Sequence, residues 1–118
     1  MTQAKKRQYR HLPAFILLAL AQGPLHGGGL RGMFASQGLE LAVDSAAVYR
    51  TLRQLEAEGA VTSAWDASRA GPALRVYSLT AAGHDKLDAW KADIEHRLAL
   101  LTNFLHAYDR LPPRGPAS

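Results

Sequence analysis

The chain has 118 residues, 47% of them hydrophobic, a formal charge of +4 and no cysteine. That length fits one domain with a modest core, which a second subunit could enlarge. The lack of cysteine excludes disulfides, a thiolate metal site and a thiol nucleophile, and the mild basicity suits a polyanion partner without requiring one.

Residues 1–11 are polar and basic, with Lys5, Lys6, Arg7 and Arg10. They read as a flexible arm that a partner could order. An apolar run from Leu12 to Ala21 follows, far too short to span a bilayer. Cations before an apolar run imitate a secretory signal. However, Gly23-Pro-Leu-His26 is a poor cleavage site, and the run is needed as a core helix. The expected location is therefore the cytoplasm, with no membrane partner. The first helix is predicted from Leu12 to Gln22, with Pro13 in its first turn, where a missing N–H does no harm. Gly23 and Pro24 end it.

His26-Gly-Gly-Gly29 opens a second, weaker helix to about Gln37, with Leu30, Met33 and Phe34 as its apolar stripe. The glycines do not make a phosphate-binding loop, because no Lys-Ser/Thr pair follows them. Gly38 ends this helix, and Leu39 to Val43 lead into the next.

Asp44 to Glu58 reads as the helix around which the chain is organised. Asp44 is a good N-cap and Gly59 a left-handed stop. Val48, Leu52 and Leu55 fall at i, i+4 and i+7, giving a dry back. The front carries Ala46, Arg50, Arg53 and Ala57, flanked by Tyr49 and Gln54. Small residues let the backbone approach a major groove, and arginine can pair with guanine or grip phosphate. An ordinary amphipathic surface helix would share this pattern; the next elements of the chain favour DNA. The short runs Ala60 to Asp66 and Ala73 to Leu79 both alternate, and a turn containing Gly71-Pro72 joins them as a β-hairpin. The turn carries Arg69 and the return strand Arg75. A basic hairpin directly after a helix-turn-helix is a wing.

Thr80 caps a long helix from Ala81 to Tyr108 or Asp109. Leu87, Trp90, Ile94, Leu98, Leu101, Leu105 and Tyr108 form its stripe, which Leu100 and Phe104 widen. So long an apolar seam calls for a second copy of itself. Leu111-Pro-Pro-Arg-Gly-Pro116 terminates the helix. The expected fold is mainly α with a β-hairpin wing: a winged helix-turn-helix plus a long C-terminal dimerisation helix. Its parts are a basic arm (1–11), a DNA-binding domain (12–80), the dimerisation helix (81–110) and a disordered tail (111–118).

Taken together, these residues resemble the PadR family of winged-helix transcriptional regulators. The resemblance runs from about residue 14 to 109. It is carried by Ile16-Leu-Leu-Ala-Leu20 with Gly23-Pro-Leu-His-Gly27, by Val48-Tyr-Arg-Thr-Leu52 with Leu55-Glu-Ala-Glu-Gly59, by Trp65, and by Val76-Tyr-Ser-Leu-Thr-Ala-Ala-Gly83. The single C-terminal helix is similar to that of the smaller members. Gly28 stands where the family usually has tyrosine, and Ser45-Ala-Ala47 where relatives often have Pro-Gly-Thr. The resemblance implies a homodimer acting on a pseudo-palindromic operator as a ligand-responsive repressor. It also implies an apolar cleft between the last helices for a small apolar or aromatic effector. Phe15, Trp90, Ile94 and Leu98 are the candidates to line the cleft, with dimer packing as the other role for Trp90. The dimer interface would comprise Leu87, Trp90, Ile94, Leu98, Leu101, Phe104, Leu105 and Tyr108.

On DNA, Arg50 and Arg53 are expected to meet bases or phosphates, Ser45 and Tyr49 phosphates, and Ala46 to permit close approach. Arg69, Arg75, Lys5, Lys6 and Arg7 are expected on phosphates, with Arg69 able to visit the minor groove. An enzyme is the rival class. His11, His26, His84, His96 and His106 form no HxH or HxxxH pair, and no Gly-x-Ser-x-Gly elbow occurs. The reading is therefore of no catalytic residues, no metal and no cofactor. A winged-helix protein-interaction adaptor without sequence-specific DNA binding is the alternative, disfavoured by the arginines of the helix front and wing.

Overall fold

A computed structural model describes residues 10–36, 45–68 and 70–116. Its elements are α1 (Leu12–Ala21), β1 (Leu25–His26), α2 (Gly27–Ser36), α3 (Ser45–Ala57), β2 (Val61–Asp66), β3 (Leu74–Leu79) and α4 (Ala81–Asp109). The chain forms two compact units, Met1–Asp88 and Ala89–Ser118.

The first unit is a winged helix-turn-helix built around α1. Leu12, Ala14, Ile16, Leu17, Ala19 and Leu20 are all buried, so α1 has apolar neighbours on most of its circumference rather than along a single stripe. Leu30 and Phe34 of α2 and Ala47, Val48, Leu52 and Leu55 of α3 complete the helical core. Val61 and Tyr77 bring the sheet into it. Every expected helix and both hairpin strands are present, with ends within a residue or so of their predicted bounds. The Asp44 cap, the expected helix end at Gln37 and Gly38, and the Leu39–Val43 lead-in lie outside the described residues.

One strand was not foreseen. Leu25, assigned to no element from sequence, and His26, expected to open the second helix, pair antiparallel with Tyr77 and Val76, giving a three-stranded sheet in the order β1-β3-β2. A two-residue strand is too short to show alternation, and only its partner on β3 reveals it. His26 also acts locally. Its Nδ1 accepts a hydrogen bond from the Gly29 N–H at 3.2 Å, satisfying one of the orphan donors that begin α2.

The start of α4 is anchored to the end of α3. Gly59, at φ +79°, ends the helix as expected. The Thr80 hydroxyl lies 2.6 Å from the Gly59 carbonyl and 3.0 Å from that of Ala60. It also accepts the Gly83 N–H at 3.0 Å, which makes it the N-cap. Lys86 adds an ion pair to Glu58 at 2.6 Å.

In the second unit α4 continues to Asp109. Leu98, Leu100, Leu101, Phe104, Leu105 and Tyr108 are each more than half exposed. Two i,i+4 ion pairs, Lys91–Glu95 and Arg97–Asp93, support the helix on its polar side. Among the described residues, no helix is long and apolar enough to cross a membrane.

Candidate nucleic-acid interface

The back of α3 is sealed into the core, so its front must face out. Ala46, Tyr49, Arg50, Arg53, Gln54 and Ala57 are exposed and Ser45 is half-buried. Among the described residues, no side-chain partner holds Arg50 or Arg53. Ser45 is engaged: its Oγ accepts a hydrogen bond from Arg31 of α2 at 2.8 Å. This contact ties the first helix of the helix-turn-helix to the N-terminus of the second. It also places a further cation, which sequence reasoning did not single out, beside the front.

Tyr49, Arg53 and Glu56 follow one another at i, i+4 and i+7 and form one wall of a groove of about 480 Å³. The opposite wall is the inner face of the wing. In the β2–β3 register Trp65 pairs with Arg75 and Ser63 with Tyr77, and antiparallel partners point to the same side. Ser63, Trp65, Arg75 and Tyr77 therefore share that face. Toward the core it is closed by Tyr77, only 4% exposed; toward the wing tip it opens at Trp65, 66% exposed. His26 and Gly27 contribute to the lining. The Tyr49 ring packs so closely on Gly27 that a Cβ there would fall 2.5 Å from its hydroxyl. A glycine after His26 thus lets Tyr49 lie down along the start of α2.

The groove mixes charge with aromatic surface. Arg75 stands 5.6 Å from the centroid of the Trp65 ring, within range of a cation–π contact. Its Nε donates to Ser63 Oγ at 2.9 Å, and that hydroxyl donates to Glu56 Oε2 at 2.7 Å. A second guanidinium nitrogen lies 3.7 Å from Glu56 Oε1. Burial pushes the Tyr77 phenol above its ordinary pKa, with Arg75 pulling the other way.

Of the residues expected at a DNA surface, the structure brings Tyr49, Arg53 and Arg75 to one groove and keeps Ser45, Ala46 and Arg50 on the same helix. Arg69, Lys5, Lys6 and Arg7 lie outside the described residues. Glu56, Ser63 and Trp65 were not expected there. Trp65 was read as a strand residue and a family feature but not as part of the DNA surface, although its register with Arg75 follows once the hairpin turn is counted. Of the effector candidates, Phe15 is half-buried on α1 in the first unit, and Trp90, Ile94 and Leu98 belong to the second. Among the described residues, no group of three His, Cys, Asp or Glu side chains is placed to hold a metal ion.

A family model described as the transcriptional regulator PadR-like family matches residues 16–89. No curated protein sequence matches. Several solved structures share the fold. A PadR family transcription regulator from hypervirulent Clostridium difficile superposes with a TM-score of 0.73 at 19% identity, over 80% of this chain and 98% of its own. A PadR-like transcriptional regulator from Bacillus cereus gives 0.72 at 22% identity, over 84% of this chain and 96% of its own. Bacillus subtilis PadR, solved in complex with operator DNA, gives 0.62 at 22% identity, over 92% of this chain but 51% of its own. The present chain therefore spans about half the length of that last protein.

Proposed function

Because this chain belongs to the PadR-like family, whose members are transcriptional regulators and not enzymes, we propose that it is a homodimeric, ligand-responsive repressor that reads a pseudo-palindromic operator with α3. The observation that carries the reading is the division of α3 into a buried back and an exposed front. Val48, Leu52 and Leu55 seal the back, while Tyr49, Arg50 and Arg53 face outward beside the wing. The small side chain of Ala46 leaves room for the backbone to approach base edges. Arg50 and Arg53, near that approach and without side-chain partners among the described residues, supply the donors that guanine or phosphate would accept. The operator complex of Bacillus subtilis PadR supports duplex DNA as the partner.

The exposed apolar seam of α4, from Leu98 to Tyr108, supports a second copy of the chain as the other partner. Isolated apolar residues on a surface need no explanation, but a contiguous row along more than two helical turns does. A two-fold dimer would present two α3 helices about 34–36 Å apart, to successive major grooves. Trp90, Ile94 and Leu98, spaced i, i+4, i+8 on α4, support a small apolar or aromatic effector in the dimer. Phe15 is the further candidate from α1.

The test begins with selection of bound sequences from a randomised duplex library, which yields the operator directly. Titration of Arg50→Ala and Arg53→Ala on that operator then examines the α3 front. Enrichment of a two-fold sequence, with weaker binding by both variants, is the expected result. Unchanged affinity in both variants would overturn the assignment of the front. A chain that shows no salt-dependent shift of any duplex would be a protein-interaction adaptor instead.

A further inference from the structure

We propose that Glu56, Ser63, Arg75 and Trp65 form a clasp that fixes the wing against α3, and that Arg75 serves DNA recognition as a positioning residue, not as a phosphate ligand. The inference rests on the reading of α3 and the wing as the DNA-binding surface. It departs from the simplest view of a basic wing, in which each cation meets a phosphate.

The guanidinium of Arg75 is occupied on three sides. Its Nε edge donates to Ser63 at 2.9 Å. Its outer nitrogen faces Glu56 at 3.7 Å. Its central carbon lies over the Trp65 ring, 5.6 Å from the centroid. Ser63 is the hinge of the network, because one hydroxyl both accepts from Arg75 and donates to Glu56 at 2.7 Å. Such a relay polarises each bond in the sense that strengthens the other. The ion pair alone would hold little, since both side chains are well solvated, at 46% and 32% exposure. What gives the arrangement geometric content is that α3, β2 and β3 each supply a member. Glu56 comes from the last turn of α3, Ser63 and Trp65 from β2, and Arg75 from β3. Beyond the buried Val61 and Tyr77, Ser63 and Arg75 link the inner face of the hairpin to Glu56 of the helix. Arg53, on the same face of α3 as Glu56, has no such engagement among the described residues and stays available to DNA.

Arginine and lysine separate the two roles. Lysine preserves the charge but has one ammonium in place of a planar fork, so it cannot bond Ser63, face Glu56 and lie over Trp65 together. Three variants are compared with the unsubstituted chain on operator and random duplex over a range of salt. They are Arg75→Lys, Ser63→Ala, and Glu56→Gln combined with Arg75→Gln, which removes both charges and leaves the net charge unchanged. The expected result is a roughly three- to tenfold fall in the operator-over-random ratio in all three, the scale of one lost polar contact. The slope of log K against log salt on random DNA stays unchanged in the double variant. A slope lowered by about one there, as expected for a lost phosphate contact, would overturn the proposal, and so would a wild-type ratio in Arg75→Lys.

A readout without DNA tests the clasp itself. In a Trp90→Phe background, Trp65 is the single tryptophan, and acrylamide should quench it more strongly in Arg75→Lys and Ser63→Ala than in their parent. Unchanged quenching overturns the clasp. If the unsubstituted chain shows no operator preference, the DNA reading of the front is what fails, and Trp65 quenching still decides whether the wing is held.

Discussion

Substituting Gly83 by alanine sets two effects of opposite sign against each other. In a helix interior alanine is favoured over glycine by about 0.8–1 kcal/mol, an upper bound for Gly83 in the first turn, so on propensity alone Gly83→Ala stabilises α4. Gly83, however, is the buried residue of that helix. A Cβ at this position would strike the Ala60 carbonyl oxygen and the Leu79 side chain. Leu79 can rotate, but the carbonyl cannot easily retreat. It accepts the Thr80 N–H at 3.1 Å and lies 3.0 Å from the Thr80 hydroxyl, and that hydroxyl caps α4 through the Gly83 N–H. Moving the carbonyl disturbs the cap that starts the helix. Inserting a methyl into a packed site costs about 1–3 kcal/mol, and a backbone obstacle puts this case at the upper end. The expected net result is a loss of about 1–2 kcal/mol once the propensity gain is subtracted. The assay is urea unfolding at one fixed protein concentration, since dimer formation would couple stability to concentration, with equal m values required for comparison. Gly32→Ala is the control. It also lies within a helix, but a Cβ there meets nothing within 4 Å, so it should stabilise by about 0.5–1 kcal/mol. A Gly83→Ala chain as stable as its parent, or a destabilised Gly32→Ala, would refute the steric reasoning.

On the dimer, Leu101→Glu places a charge in the exposed apolar seam of α4 and should cost several kcal/mol of association if that seam is buried in the dimer; sedimentation at micromolar concentration should show the variant as a monomer and the parent as a dimer. On the operator, Arg53→Ala should lose about 1–3 kcal/mol if Arg53 reads a base, with relaxed preference at one position of each half-site. The third expectation concerns acid. The hydrogen bond from Lys86, and then that from Gln54, holds the Glu58 carboxyl below its ordinary range. A carboxylate depressed in the folded state stabilises above its unfolded pKa, and that contribution disappears as pH falls through the folded value. Lys86→Ala should therefore cost roughly 0.2–1 kcal/mol at neutral pH, the scale of a solvated pair, with the difference from the parent vanishing in acid. The fourth concerns alkali. The Tyr77 phenol is raised by burial, so its contribution is complete below the unfolded value of 10.0 and lost as pH rises toward the folded one. Phenolate absorbance should show a late-titrating component in the native chain that Tyr77→Phe removes and urea shifts back toward the ordinary phenol range.

The helices were legible because their signals are local. The spacing of Val48, Leu52 and Leu55 defines the buried side of α3 without reference to any other element, and the structure buries all three. Once the back is known the front follows, and with it the exposed Arg50 and Arg53. The α4 seam was legible for the same reason. Its meaning came from an imbalance: the apolar row is longer than a small domain can cover, and from Leu98 onward it is exposed in the single chain. What could not be read was whatever depends on pairing between distant residues. β1 has two residues and acquires its identity from Val76 and Tyr77. Arg31 and Ser45 are separated by a segment whose path the sequence does not give.

Arg75 shows why counting cations on a candidate DNA surface overstates what they can do there. From sequence it is one more positive charge on a wing, expected on phosphate, where Arg53 on the helix is expected on bases or phosphates. Three separate facts of register make them different. Arg75 lies opposite Trp65, and two positions further toward the core on β2 stands Ser63, on the same face and within reach of its Nε. Glu56, about one helical turn after Arg53, comes to that serine. None of these is a property of Arg75 or of its neighbours in the chain. Each would be lost by a one-residue slip of the hairpin, which would turn Trp65 and Ser63 to the other face. The cations near the groove thus divide by engagement. Among the described residues Arg53 has no side-chain partner, whereas Arg75 donates through Nε to Ser63 and holds a second nitrogen 3.7 Å from Glu56. A surface with one arginine committed and one available can hold its shape before DNA arrives, and the order that the clasp supplies need not then be drawn from the binding free energy.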